Sequence, residues 1–258
     1  MKPLLFVGNR RSGTSMFTMI LNEHHDLFVS LEADALWHIY TSGSLTVAPD
    51  DAAVHPDWFQ SRRITNVDAY LPWSELTGTP QERFFQDITH IRQNGVYGIQ
   101  DAYPEKRDLV YLGEKKPGVT TEPELRPWLD AEFPEARFLH LVRNPLHSIG
   151  SMARLNWAEG DIEYLTQYWV RLEDQAAKFD SLLVRFEDLT TDPFGELARI
   201  AEYLGLDPKA ANNNADSLGR MVTKRGTIMP EYSDTTDQWI EQVVLTDELK
   251  RYIDEYGY

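Results

Sequence analysis

Cysteine is absent from the 258 residues, so the chain can form neither a disulfide nor a thiolate metal site, a composition compatible with a reducing cytoplasm. Long apolar runs are missing as well: none approaches the ~18 residues that a membrane span requires. No cleavable leader is expected, because Met1, Lys2 and Pro3 run straight into an apolar segment. Positive charge is scarce, with 25 Lys and Arg against 41 Asp and Glu and a net charge of −16. Such a surface repels nucleic acid and anionic membranes, so neither is an expected partner. Repeats and low-complexity tracts are also lacking. Apolar side chains are plentiful, at 42% of residues, enough for one large core. The expectation is a single cytoplasmic α/β domain over residues 1–258, of undetermined oligomeric state.

The most informative segment is LLFVGNRRSGTS, residues 4–15. A short apolar run ends at Gly8, four residues separate it from Gly13, and Thr14 and Ser15 open an apolar helix-like stretch to Leu21. This is a strand, a loop and a helix. In a nucleotide-binding P-loop the pattern is G-x-x-x-x-G-K-[ST], with backbone amides and the helix N-terminus around a phosphate. Here Gly8, Gly13 and Ser15 keep that spacing, but Thr14 stands at the lysine position and the positive charge sits earlier, at Arg11. The loop suits an anion and is a poor ATPase loop. A small-metabolite kinase of the P-loop type remains an alternative; it would need magnesium-binding carboxylates and ATP.

The RSGT element after a strand resembles the 5'-phosphosulfate loop of sulfotransferases that use 3'-phosphoadenosine 5'-phosphosulfate (PAPS), and its first block is most similar to the tyrosylprotein sulfotransferases. RFLHLVRNPLHSIGSM, residues 137–152, resembles the family's second element, in which a strand-end arginine and a serine eight residues on bind the 3'-phosphate; these are Arg143 and Ser151. LLVRFEDLTTDPFGELARIAEYLGLD, residues 182–207, resembles its third. The resemblance implies a P-loop-like three-layer α/β fold with a central parallel sheet between helices. It also implies transfer of a sulfuryl group from PAPS to a hydroxyl, less readily an amine, of a small molecule, lipid-like metabolite or peptide tyrosine. A catalytically inactive nucleotide-binding module is the non-enzyme alternative.

The apolar patterns predict strands at 3–8, 137–142 and 182–186, with weaker ones at 96–100 and 110–112. Helices are predicted at about 14–23, 121–132, 145–155, 161–178, 194–204 and 246–255. Between about 41 and 80 the pattern breaks into Gly, Pro and Asp punctuation with Trp58, Phe59, Tyr70 and Trp73, an irregular insert expected to form an acceptor pocket or lid.

Sulfuryl transfer needs in-line positioning, cations where charge grows on the departing phosphate, and a base for the acceptor proton. A sulfuryl group carries less negative charge than a phosphoryl group, so fixed cations can stand in for magnesium and no metal is expected. Arg11 is the first catalytic candidate, beside the bridging oxygen, with the amides of Ser12, Gly13, Thr14 and Ser15 around the 5'-phosphate. Glu32 is the second, because HHDLFVSLEAD resembles the tyrosylprotein stretch that places a base 21 residues after the loop arginine, and Arg11 to Glu32 is also 21. Alternatively Glu32 and Asp34 cap a helix through Ala35 to His38, and His38 is the reserve base. Lys115 is the third, since GEKKPG resembles the family's lysine-x-proline element. Thr223, Lys224 and Arg225 are candidates to complete the 3'-phosphate site near Trp239. Phe186 departs from the family's tyrosine, and Gln238 from its lysine. His24 and His25 lack a third ligand for a metal. His140 reads as a buried structural histidine, and the stripe Tyr164, Tyr168, Arg171 and Leu172 as helix core.

Overall fold

The computed structural model describes residues 1–31, 35–43, 75–94, 103–116, 118, 123–155, 160–210 and 239–258. Five parallel strands form one sheet: β1 (Lys2–Val7), β2 (Leu27–Leu31), β3 (Tyr111–Lys115), β4 (Arg137–Val142) and β5 (Ser181–Arg185), in the order β2-β3-β1-β4-β5. The helices are α1 (Thr14–Leu21), α2 (Ala35–Gly43), α3 (Pro80–Asn94), α4 (Leu125–Glu132), α5 (Pro145–Ala153), α6 (Ile162–Ala176), α7 (Phe186–Thr191), α8 (Pro193–Leu204) and α9 (Asp247–Tyr256). The α/β class with a parallel sheet between helices is therefore as expected.

A parallel sheet is covered on both faces, which is why the strands are continuous apolar runs rather than alternating ones. Successive residues of β1 serve opposite layers. Leu5 and Val7 join Phe28 and Leu112 against Phe84, Ile88 and Ile91 of α3 and Leu125 and Leu129 of α4. Leu4 and Phe6 face the other way, with Val29, Leu139, Leu141 and Val184, against Phe17, Ile20 and Leu21 of α1 and Leu197, Ile200 and Leu204 of α8. A third cluster joins Val142 to α5, α6 and α9 through Ile149, Leu165, Trp169, Leu249 and Tyr252.

The structure departs from the expected elements at three places. LFVSL is a strand, β2, registered on β3 from Leu27↔Tyr111 to Leu31↔Lys115. The weak strand expected at 110–112 runs on to Lys115, so that lysine ends a buried strand. The aromatic stripe of α6 is not core throughout: Leu172 is buried, but Tyr164 is 51% exposed, and the buried ridge runs through Leu165, Trp169, Leu172 and Ala176. Residues 44–74 of the insert and the strand expected at 96–100 lie outside the described residues.

Candidate active site at the carboxyl edge of the sheet

In open parallel sheets, ligands bind beyond the carboxyl ends of the strands where the order reverses. Here the order reverses at β1, whose neighbours are β3 and β4, and its carboxyl end runs into the glycine loop. Gly8 has φ +108°, and a Cβ there would come within 2.8 Å of the His140 ring. Gly13 has φ +85° and N-caps α1, and a Cβ there would lie 2.3 Å from the Phe186 ring. Only glycine fits either place. Between them Arg11 itself takes φ +66°, a left-handed conformation uncommon outside glycine, Asn and Asp and typical of functional turns.

The first turn of α1 has no side-chain cap, and no acidic residue sits in it. Its leading amides thus point out of the helix toward the loop, a favourable place for an anion. Lys115 reaches this turn from the adjacent strand end: its Nζ donates to Ser15 Oγ at 3.2 Å while the residue is almost wholly buried. On the other side Arg11 Nε donates to Ser151 Oγ of α5 at 3.0 Å. Arg143, just past β4, extends Nη1 to the Arg11 carbonyl at 3.5 Å, and its guanidinium lies 4.8 Å from the centroid of Phe186. The structure thus brings together Arg11, Ser12, Gly13, Thr14, Ser15, Lys115, Arg143 and Ser151. Glu32, Thr223, Lys224 and Arg225 lie outside the described residues, as does the side chain of His38.

The electrostatics of this cluster are unbalanced. Among the described residues, no carboxylate lies within ion-pair distance of Arg11 or Arg143. The Arg143 Nε is buried without a hydrogen-bond partner. Burial pulls the Arg143 guanidinium below its ordinary range; the nearby Glu187 charge opposes that pull and Arg11 adds to it. A cation held this way gains most from an incoming anion.

Several supporting residues were not singled out from the sequence. Glu173, fully buried on α6, accepts from Asn9 Nδ2 of the loop at 2.7 Å and from Tyr256 OH at 2.8 Å. His140 Nε2 lies 2.9 Å from Glu173 Oε2, close enough for an ion pair though not aligned as a hydrogen bond, and His140 is buried as expected. The available signal was a carboxylate on the apolar face between Trp169 and Ala176. Glu114, buried in β3, accepts from the amides of Ala35 and Leu36 at 3.2 and 3.0 Å and so caps α2. That is the cap the sequence offered to Glu32 and Asp34. His24 spends its ring on backbone: Nε2 lies 3.0 Å from the Asp207 carbonyl and Nδ1 accepts from the Asp26 amide.

The sequence model of the Sulfotransferase family matches residues 3–210. No curated protein matches the chain. Among solved structures, the chain is similar to the sulfotransferase domain from the olefin synthase of Synechococcus PCC 7002, at 18% identity and a TM-score of 0.58, covering 100% of this chain and 94% of that one. It is equally similar to the sulfotransferase domain from the curacin biosynthetic pathway, at 18% identity and TM-score 0.57, covering 100% and 98%. At this identity the likeness is one of fold.

Proposed function

The chain belongs to the sulfotransferase family, and on that premise we propose that it transfers a sulfuryl group from PAPS to a hydroxyl acceptor. The observation that carries this reading is the convergence of Arg11, Arg143 and Ser151, from segments more than a hundred residues apart, beside the uncapped N-terminus of α1. Two anion positions adjoin there. The amides of Ser12 to Ser15 suit a 5'-phosphate, and Arg143 with Ser151 suits a 3'-phosphate, each charge-assisted bond contributing ~1.5–3 kcal/mol. The buried, unpartnered Nε of Arg143 is the internal sign that the residues fit such a ligand.

PAPS, when bound, supplies the activated sulfuryl group. The chain's own residues position it and stabilise charge. Lys115, held on Ser15, stands ready to meet the negative charge that grows on the departing 5'-phosphate. Arg11 lies between the two anion positions and contributes to both. As the acceptor oxygen bonds to sulfur and the sulfur to phosphate-oxygen bond breaks, the acceptor proton passes to the Glu32 carboxylate in this proposal. No step calls for a metal, because fixed cations carry the charge.

The test is transfer from radiolabelled PAPS to a library of hydroxyl compounds, with excess EDTA present. Labelled products are expected, at undiminished rate in EDTA. Turnover that requires added magnesium would contradict the reading, and so would labelling of nothing across small-molecule, lipid and peptide-tyrosine acceptors.

A further inference from the structure

The end of the chain returns to the carboxyl edge of the sheet. Beyond α9, Tyr258 donates its hydroxyl to Glu187 Oε2 at 2.7 Å. Arg185 fixes that ring, its guanidinium 4.7 Å from the centroid and its Nη2 donating to the Gly257 carbonyl at 3.2 Å. The other oxygen, Glu187 Oε1, accepts from the Asn144 amide at 3.1 Å. Both carboxylate oxygens are thus held by groups other than the arginine beside them. Asn144 in turn is the N-cap of α5, the helix that carries Ser151.

Arg143 sits against Phe186, the residue before Glu187, and is near enough to feel the Glu187 charge without pairing with it. A carboxylate next to an arginine with an unsatisfied nitrogen would ordinarily close on it, since a charge-assisted pair is among the stronger hydrogen bonds. Closing would neutralise the cation that a 3'-phosphate needs. We infer that Tyr258 is a positioning residue for the 3'-phosphate site: its hydroxyl, with the Asn144 amide, holds the Glu187 carboxylate off Arg143 and keeps that guanidinium available to a phosphate. The inference rests on the PAPS reading above and gives it a selectivity device, because only a nucleotide with a 3'-phosphate uses Arg143.

The test compares 3',5'-bisphosphoadenosine (PAP) with adenosine 5'-phosphate (AMP) by calorimetry on four proteins: wild type, Tyr258→Phe, Glu187→Gln and the double variant. Tyr258→Phe keeps the ring under Arg185 and loses only the hydroxyl. It is expected to weaken PAP binding about fivefold, the worth of one released hydrogen bond, while AMP changes by less than about twofold. Adding Glu187→Gln removes the charge that captures Arg143, so the double variant is expected to recover PAP binding to within about twofold of Glu187→Gln alone. A purely structural role predicts the opposite, a double variant weaker than the single. Unchanged PAP binding in Tyr258→Phe, equal losses for both nucleotides, or no recovery in the double variant each overturn the inference while leaving the PAPS reading standing. A wild-type protein that does not prefer PAP to AMP overturns both.

Discussion

Glu32 owes its candidacy to the resemblance of its segment to that of the tyrosylprotein sulfotransferases and to the need for a base, and the competing role for it is now narrower. The amides at the start of α2 donate to Glu114, so the capping of Ala35 and Leu36 is already provided from β3. Glu32→Gln, which keeps shape and removes basicity, is expected to lower turnover by ~10²–10⁴ with PAP affinity and melting temperature nearly unchanged. A near-wild-type rate in the purified variant would remove Glu32 as the base and direct attention to His38→Asn. At this scale the sequence was informative wherever a short motif resembles a family element: Arg11, Ser15, Arg143 and Ser151 were all singled out on that resemblance, and the fold brings them together. It marked Glu173 only as a carboxylate on an apolar helix face and was silent on Glu187 and Tyr258; the partners of the three lie 164, 43 and 71 residues away in the chain and are set by packing rather than spacing.

The loop between β1 and α1 is the element on which the account depends. Gly13 combines a left-handed backbone with the closest approach of Phe186, the ring that also supports Arg143. Gly13→Ala must therefore strain the turn and displace Phe186 together. The expected result is at least a tenfold loss of PAP affinity, with a drop in stability on the order of 1–3 kcal/mol by thermal or denaturant unfolding. Intact PAP binding in a folded Gly13→Ala protein would mean that the loop does not hold the nucleotide. The elements themselves were unevenly legible. β1, β4 and β5 are apolar runs beside motif residues, and α5, α6, α8 and α9 show clear start signals: Asn144, Asp161, Asp192 and Thr246 each accept an amide of the first turn. β2 escaped because a five-residue strand just after a helix, with Ser30 inside it, reads equally as a loop. α3 escaped because its apolar residues, Phe84, Ile88 and Ile91, are outnumbered by polar ones, although their spacing is that of one helix face.

Across the whole molecule, a net charge of −16 coexists with cations gathered at one edge of the sheet. Lys115 and Lys116 at the end of β3, Arg10 and Arg11 in the loop and Arg143 after β4 all lie where the strands end, a local gathering of positive charge in an acidic chain. That contrast favours a small nucleotide with two anionic groups drawn into a focused site over a long polyanion. No described helix is long and apolar enough to cross a membrane. The most direct test of the central claim is calorimetric titration with PAP and, separately, with ATP and magnesium, on the wild type and on Arg143→Ala. PAP is expected to bind the wild type at least tenfold more tightly than ATP, and to lose at least tenfold in Arg143→Ala, on the scale of one charge-assisted phosphate contact. Preference for ATP with magnesium, or PAP binding indifferent to Arg143, would contradict it.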